Sequence, residues 1–571
     1  MALLQRFDDE NAPPMTPKEI KARWVNFHRQ IRLMSGTRLQ RTAGRILGED
    51  TWRYATARFL FRPVLQMVRR LKRKAAPEKT VTKVAASKTA PIFPVNYRPR
   101  RFDVAAALAD LTFDPEDVAI VEVDLATSPA TLIATLNDTL NDTVAEWLLL
   151  VDAALGDDER RYAAAILLAH ATPGDDVVFA DETGTNEFAP ILKTPAIAPH
   201  TLLSYNSVGR PALLRVETLF RLGGFSPTAG WAFEHDAYLR LSEAKATFSH
   251  VAKVLPGGRP ASFFDATFIN EDTLRVVGAA LERRGWQGNV TAGDLPGLAR
   301  WSLAAPDPAP SIDIIIPTRD RIDLVRQCLA AIEEKTTYPN YNVIILDNDS
   351  VKKESLDFFA QTTYQVVPCP GPFNYAKIVN RGVNHSSAAY VVTLNNDTVL
   401  VTPDWLERMV ALASLPDVGI VGACLKDPDG RFEHEAIVIA PYPQHLRTDS
   451  NYPHVDHYST AVRDVAAVTG AVQMVEREFW EFLGGMDEQL EVVMNDVDIC
   501  LRSQMEDRYV VYTPEVELLH HVGSSRGKLD PIDDRNRFMR RWDIFGTFRD
   551  PYFPESLLLL GEKMYFYNTP S

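Results

Sequence analysis

The sequence predicts an α/β protein with two tandem units of mostly parallel sheet, preceded by a basic α-helical extension. Three observations predict it. From Ser311 onward, short β-branched strands alternate with helices, the pattern of a doubly wound sheet. The two halves of the chain repeat one another in order. Charge is also unevenly placed: residues 1–90 hold 20 Lys and Arg against 7 Asp and Glu, which leaves −27 on the remainder of a chain of net charge −14. At 571 residues the chain exceeds what one core holds, so two large domains and an extension are expected.

The extension spans residues 1–90 and reads as helical over 17–74. "TPKEIKARWVNFHRQIRL" opens with a helix start signal. "TWRYATARFLFRPVLQMVRRLKRK" sets aromatic and aliphatic groups among Arg and Lys, which fits a helix lying on an anionic bilayer surface. The alternative is a helix docked on the body by that apolar face, kinked at Pro63. "KAAPEKTVTKVAASKTAP" is a polar linker. "MALLQRFDDENAPP" has no apolar core for a secretory signal, and no window supplies the ~20 apolar residues of a membrane span. A cytoplasmic protein, peripheral on the inner face of the cytoplasmic membrane, is the expectation. Cys328, Cys369, Cys424 and Cys500 lie far apart without a CxxC pair and read as reduced thiols.

In the second half, "IDIIIPTRD" is a strand and turn, "IDLVRQCLAAIEEKT" an amphipathic helix, "NVIILDNDS" a second strand and "AAYVVTLNND" a third. Polar residues fall where each strand stops, the end at which open α/β sheets bind ligands. The repeat sets Pro94 opposite Pro317 and Asp124 opposite Asp347, both at an offset of 223. "WLLLVDAAL" matches "YVVTLNNDTVL" at 243. Gly209, Gly223 and Gly224 face Gly470, Gly484 and Gly485 at 261, and "EHDAYLRL" matches "DVDICLRS" at 262. The domains expected are therefore 1–90, 91–300 and 311–571.

The residue types suggest a chemistry. Asp347 after its strand suits a base or ribose contact, and Pro317-Thr318-Arg319 offers a hydroxyl and a guanidinium near a phosphate. Asp397, after Asn395 and Asn396, suits Mg²⁺ or Mn²⁺, hard cations that prefer oxygen. Asp496 or Asp498 suits deprotonation of an attacking hydroxyl. His520 and His521 are available as a metal ligand or phosphate contact, and Arg502, Trp405 and Trp480 fit pocket walls and structural roles equally well.

In order, "IDIIIPTRDR", "VIILDNDS", "FNYAKIVNRGV", "YVVTLNND", "TGAVQMVEREFWEFLGGMDEQL", "NDVDICLR" and "HHVGSSRG" resemble the family 2 inverting glycosyltransferases of GT-A fold, over about residues 311–560. The rhamnosyltransferase-like members that build bacterial surface polysaccharides are the most similar. The resemblance implies a UDP-, dTDP- or GDP-sugar donor and a glycan or lipid-linked glycan acceptor. Pro317, Thr318, Arg319, Asp347, Lys377, Asn380, Asn395 and Asn396 would contact the donor. Asp397 would be the last residue of the metal motif, with His521 as a further metal ligand, and Asp496 the catalytic base. Asp498, His520 and Arg502 are secondary candidates. The mechanism implied is one in-line displacement with inversion. Asn395 replaces the usual first acid of the metal motif, so weak metal binding without nucleotide is expected.

The first half resembles the same family and keeps Pro94, Asp124, Glu234 and Asp236, but Ala154 faces Asp397. An inactive copy is expected there, with Asp152, Asp157 and Asp158 as the alternative, a displaced metal site. Two other classes compete for the whole chain. One is a non-catalytic glycan- or nucleotide-binding scaffold of two decayed copies, against which the survival of Asp397 and Asp496 counts. The other is a nucleotidyltransferase, against which "PTRDRIDL" counts because it lacks glycine. No nucleic-acid partner is expected, since the body offers no binding module of that kind.

Overall fold

The structure, a computed structural model, describes residues 92–93, 117–124, 126–183, 191–256, 267–294, 297–447, 460–521, 531–560 and 563–567. The basic arm over 17–74, its linker and Pro94 lie outside these residues. Among the described residues, no helix is long and apolar enough to cross a membrane.

The strand Ile312–Thr318 is buried at every position but Pro317, so both its faces must be covered. It pairs in parallel with Tyr341–Asp347 on one side and Tyr390–Leu394 on the other. The spatial order of the main path is Gln365–Pro368, Tyr341–Asp347, Ile312–Thr318, Tyr390–Leu394, Val472–Glu476, Val418–Lys426, Tyr509–His520 and Thr398–Leu400. Helix Ile322–Lys335 lays Ile322, Val325, Cys328, Leu329 and Ile332 on this sheet, the helical period read in the sequence. Helix Tyr375–His385 starts where Asn374 accepts a hydrogen bond from Lys377 N. All four cysteines are buried free thiols.

A second sheet lies in the first half, in the order Val118–Val123, Trp147–Asp152, Ala212–Arg215, Val177–Glu182 and Phe248–Leu255. From Trp147–Asp152 onward, its pairings run antiparallel, antiparallel, parallel. From Tyr390–Leu394 the larger sheet runs the same way. One detail differs from the sequence match. Val118–Val123 pairs in parallel with Trp147–Asp152, the place that Ile312–Thr318 takes beside Tyr390–Leu394. Asp124 therefore follows the edge strand that takes the place of Ile312–Thr318, whereas Asp347 ends the strand one further out.

The same local contacts recur in both halves. Asn380 donates to Met486 O at 2.8 Å and accepts from Met486 N at 2.9 Å. Asn137 donates to Phe225 O at 2.9 Å and accepts from Phe225 N at 2.8 Å. Arg502 bonds Asp498, Leu483 O and Gly485 O, and Arg240 bonds Asp236, Leu222 O and Gly224 O. Gly485 and Gly224 both take φ +70°, and a Cβ on either would stand 2.5 Å from the clamping asparagine oxygen. Only glycine suits both demands.

Residues 89–571 form one compact unit, and buried polar contacts join its halves. Asp464 accepts from His200 N and Thr201 N, each at 3.0 Å, from the Thr201 hydroxyl at 3.2 Å, and meets His200 Nδ1 at 2.7 Å. All these groups are buried. Asp464→Ala would leave several donors unsatisfied, so a loss of roughly 3–5 kcal/mol is expected, read as a lower urea midpoint.

Candidate functional site

The site is built at the carboxyl ends of the central strands. After Tyr390–Leu394 the chain turns through Asn395-Asn396-Asp397, and Asn396 and Asp397 are buried. Asn395 N donates to Ala471 O at 3.0 Å, and Asn396 Nδ2 donates to Thr318 Oγ1 at 2.9 Å, tying this turn to both neighbouring strands. Thr318 stands in register with Asp347, whose Oδ1 accepts from Ser350 N. Asp320 holds the same loop by accepting from Val351 N and Lys352 N. Arg319 and Lys377 are exposed, and Pro317 is half-buried. Arg321, not singled out in the sequence, pairs with Asp323 and feels the Asp397 charge.

Asp496 lies in the first turn of helix Asn495–Met505, just after Met494, whose φ of +67° is rare for a residue with a side chain. Its Oδ2 accepts from Gly470 N at 2.9 Å and its Oδ1 from Val497 N at 2.9 Å. Gly470 O in turn accepts from Tyr375 Oη at 2.8 Å and Thr393 Oγ1 at 3.1 Å. A Cβ on Gly470 would come within 3.3 Å of Asp496 Cβ, so this close approach favours glycine. Asp397 and Asp496 are thus anchored to consecutive residues, the first through the Asn395–Ala471 bond and the second through Gly470.

Glu433, His434 and His445, which the sequence reading missed, join this neighbourhood through His520 and Thr469. His520, on the strand Tyr509–His520, stands 3.3 Å from Asp397 Oδ1 through Nε2 and 2.7 Å from Glu433 Oε2 through Nδ1. His520, rather than His521, is therefore the histidine against Asp397. Burial opposes its charge, but the hydrogen bonds to Asp397 and Glu433 prevail and raise its pKa to about 9. Next to Glu433, His434 accepts from Thr469 N at 3.3 Å and meets His445 across 3.2 Å between Nδ1 atoms. Burial, as the largest cause, keeps both these rings below the usual imidazole range.

The His520 shift has a measurable sign. Its folded pKa lies above the ordinary value of about 6.5, so its stabilisation is complete below that pH and fades as pH rises to about 9. In metal-free protein, the stability gap between wild type and His520→Gln should shrink by about 3 kcal/mol from pH 6 to pH 9.5. Urea unfolding at the two pH values measures it.

Other candidates have different work. Both polar ends of Asn380 are taken by the Met486 backbone, so it clamps a turn rather than facing a donor. Asp498 is buried and bonds Arg502 at 2.8 Å, Arg541 at 2.8 Å and Trp542 Nε1 at 3.0 Å, which anchors helix Ile532–Trp542. Arg502 belongs to that anchor. Trp405 and Trp480 are core residues. His521 donates its backbone N–H to Asp397 O at 2.9 Å.

The corresponding place in the first half is closed. Asp152 ends its strand, and Glu234 lies in the first turn of helix Phe233–Glu243. Buried Arg210 meets Glu234 at 2.7 Å and Asp152 at 3.3 Å. Lys193 lies 3.8 Å from Glu182, and His250 lies 2.9 Å from Asp181. Asp157 and Asp158 are exposed on a helix turn and do not join Asp152.

Among the described residues, no group of three or more His, Cys, Asp or Glu forms a metal cage. The donor set is one buried carboxylate, Asp397, with His520 beside it. That suits a hard cation which keeps most of its ligands from water and a substrate diphosphate.

Residues 313–468 match the family model Glycosyl transferase family 2. The chain is 32% identical over 445 residues to the Sinorhizobium fredii protein y4gI, covering 72% of this chain and 48% of that one. It is 30% identical over 413 residues to the O-antigen biosynthesis protein RfbC of Myxococcus xanthus, covering 68% and 32%. Over 155 residues it is 28% identical to an N-acetylglucosaminyl-diphospho-decaprenol L-rhamnosyltransferase of Mycobacterium tuberculosis, covering 25% and 50%. The chain thus spans half or less of the length of these relatives. A solved structure of GalNAc-T7 with UDP, GalNAc and Mn²⁺ matches 43% of this chain and 50% of its own at 14% identity, with a TM-score of 0.35.

Proposed function

We propose that this chain is a glycosyltransferase of bacterial surface-glycan synthesis, working through its C-terminal half. It moves a sugar from a UDP-, dTDP- or GDP-linked donor to a hydroxyl of a glycan or lipid-linked glycan, with inversion. One observation carries the reading: the turn that bears Asp397, through Asn395 N, and the Asp496 carboxylate are tied to adjacent residues, Ala471 and Gly470, at the ligand-binding end of the sheet. The match of residues 313–468 to Glycosyl transferase family 2 and the names of two relatives support it.

In this reading Thr318, Arg319 and Asp347 contact the nucleotide, with Pro317, Asn395, Asn396 and Lys377 lining its path. Asp397 would hold Mg²⁺ or Mn²⁺ together with the donor diphosphate, and the ion would supply positive charge against the leaving group. Asp496 takes the proton of the acceptor hydroxyl as its oxygen bonds to the anomeric carbon. The bond from that carbon to the diphosphate breaks on the opposite face, and nucleoside diphosphate leaves. Its two backbone N–H bonds keep the Asp496 carboxylate aimed.

The first half is a degenerate copy with no transfer activity of its own. Its sheet pairings and its twin Asn and Arg clamps support common descent, and Arg210 supports inactivity because it neutralises both carboxylates. The arm over 17–74 would hold the enzyme against anionic lipid on the inner membrane face.

The test is release of nucleoside diphosphate from a panel of UDP-, dTDP- and GDP-sugars with Mg²⁺ or Mn²⁺ and lipid-linked glycan extract, wild type beside Asp397→Ala. Turnover of one donor, lost in the variant, is expected. Binding of nucleotide or glycan with no donor consumed would favour a non-catalytic scaffold instead.

A further inference from the structure

Strand Phe432–His434 and the hairpin Ile437–Ile439 with Pro443–His445 bring two histidines to the Thr469-Gly470 turn that holds Asp496, and the function just proposed gives them no task. Their hydrogen bonds fix which nitrogen carries each proton. A backbone N–H can only donate, so Thr469 N makes His434 Nε2 an acceptor. The proton of this neutral ring must then sit on Nδ1. That N–H points at His445 Nδ1, 3.2 Å away, which makes it an acceptor in turn. His445 is left with its proton on Nε2, and no described residue accepts it. The ring is half-buried, so this N–H remains reachable.

Its position shows what it meets. Thr469 N holds His434 and the next amide, Gly470 N, holds Asp496, so relay and base hang from consecutive residues of one turn. Asp496 is the strongest charge acting on the His445 ring. The nucleotide-side groups Thr318 and Asn396 bond to each other instead. Groups beside the base face the acceptor, because the base must reach the attacking hydroxyl.

We infer that His445 Nε2–H is a preset hydrogen-bond donor to a hydroxyl oxygen of the acceptor sugar, next to the attacking one, and that His434 is the positioning residue that locks its tautomer. This rests on the glycosyltransferase reading. A donor that cannot rotate its proton away selects for an oxygen at one place, which makes the pair a determinant of acceptor choice.

The experiment uses the full chain with the donor that turns over and a panel of p-nitrophenyl glycosides of hexoses, 6-deoxyhexoses and N-acetylhexosamines as acceptors. His445→Ala should raise the acceptor KM roughly tenfold while the donor KM moves by less than about twofold. His445→Gln, whose amide N–H reaches the same place, should return the acceptor KM to within about threefold of wild type. His434→Ala should raise it too, and the double variant should be no worse than His445→Ala alone. Equal changes in both KM values, no change in either, or failure of Gln to rescue would each overturn the inference while leaving the enzyme reading intact. If wild type transfers to no acceptor and consumes no donor, both fall together.

Discussion

Arg210→Met should destabilise the protein by about 3–5 kcal/mol, one of the largest stability losses expected of any single substitution here. Arg210, Asp152 and Glu234 are all buried, and the guanidinium meets both carboxylates. Taking three charges out of water is costly, and only their mutual attraction offsets that cost. Removing the cation leaves two carboxylates facing each other without water or a counter-ion. Met keeps the volume and apolar stem of the side chain, so the loss reports charge rather than a cavity. Replacing all three as Asp152→Asn, Arg210→Met and Glu234→Gln should recover much of it, because no uncompensated charge then remains. Urea unfolding of wild type, single and triple variants separates these outcomes. A single variant as stable as wild type would mean that water reaches the carboxylates, and that the first half is open to ligand.

That cluster also explains what the sequence could and could not reveal. The central strands of the second half were legible because each is a short β-branched run ending in polar residues; Asp397 stands out at such an end, and Asp496 in an acidic cluster at a helix start. The plug in the first half was not. Arg210 reads as an ordinary residue beside Pro211, and its partners lie 58 residues before it and 24 after it. The histidines were hidden in the same way: Glu433 finds His520 across 87 positions, and His434 finds a backbone amide 35 positions on. A backbone partner leaves no trace in composition.

Asn380 carries the opposite lesson. The family resemblance makes it a donor contact, yet it clamps a turn. A signal was present: the repeat keeps Asn137 opposite Asn380, Arg240 opposite Arg502 and Asp236 opposite Asp498. A side chain retained in the half that has no counterpart of Asp397 is more economically explained by the fold the halves share than by a site they do not share. Asp397 and Asp496 pass the same filter in reverse, since Ala154 and an Arg-bound Glu234 stand opposite them.

Asp496→Asn should lower the transfer rate by about 10²–10⁴-fold, with donor KM little changed. The amide is isosteric and its oxygen can still accept from Gly470 N, so the helix start and the Gly470 turn keep their main tie. What is lost is the capacity to take a proton from the acceptor hydroxyl. Asp498→Asn, two residues on, is the control that separates chemistry from architecture. Asp498 is held below the usual carboxylate range: burial opposes its charge, but Arg502 and Arg541 outweigh it. Its amide would forfeit those ion pairs and loosen helix Ile532–Trp542, so stability should fall by roughly 3 kcal/mol or more. The two variants should therefore differ in kind, one slow and stable, the other unstable. If Asp496→Asn transfers at the wild-type rate, the base lies elsewhere in the site, and Glu433 becomes the carboxylate to test, because the strand Phe432–His434 carries it to His520 and Asp397.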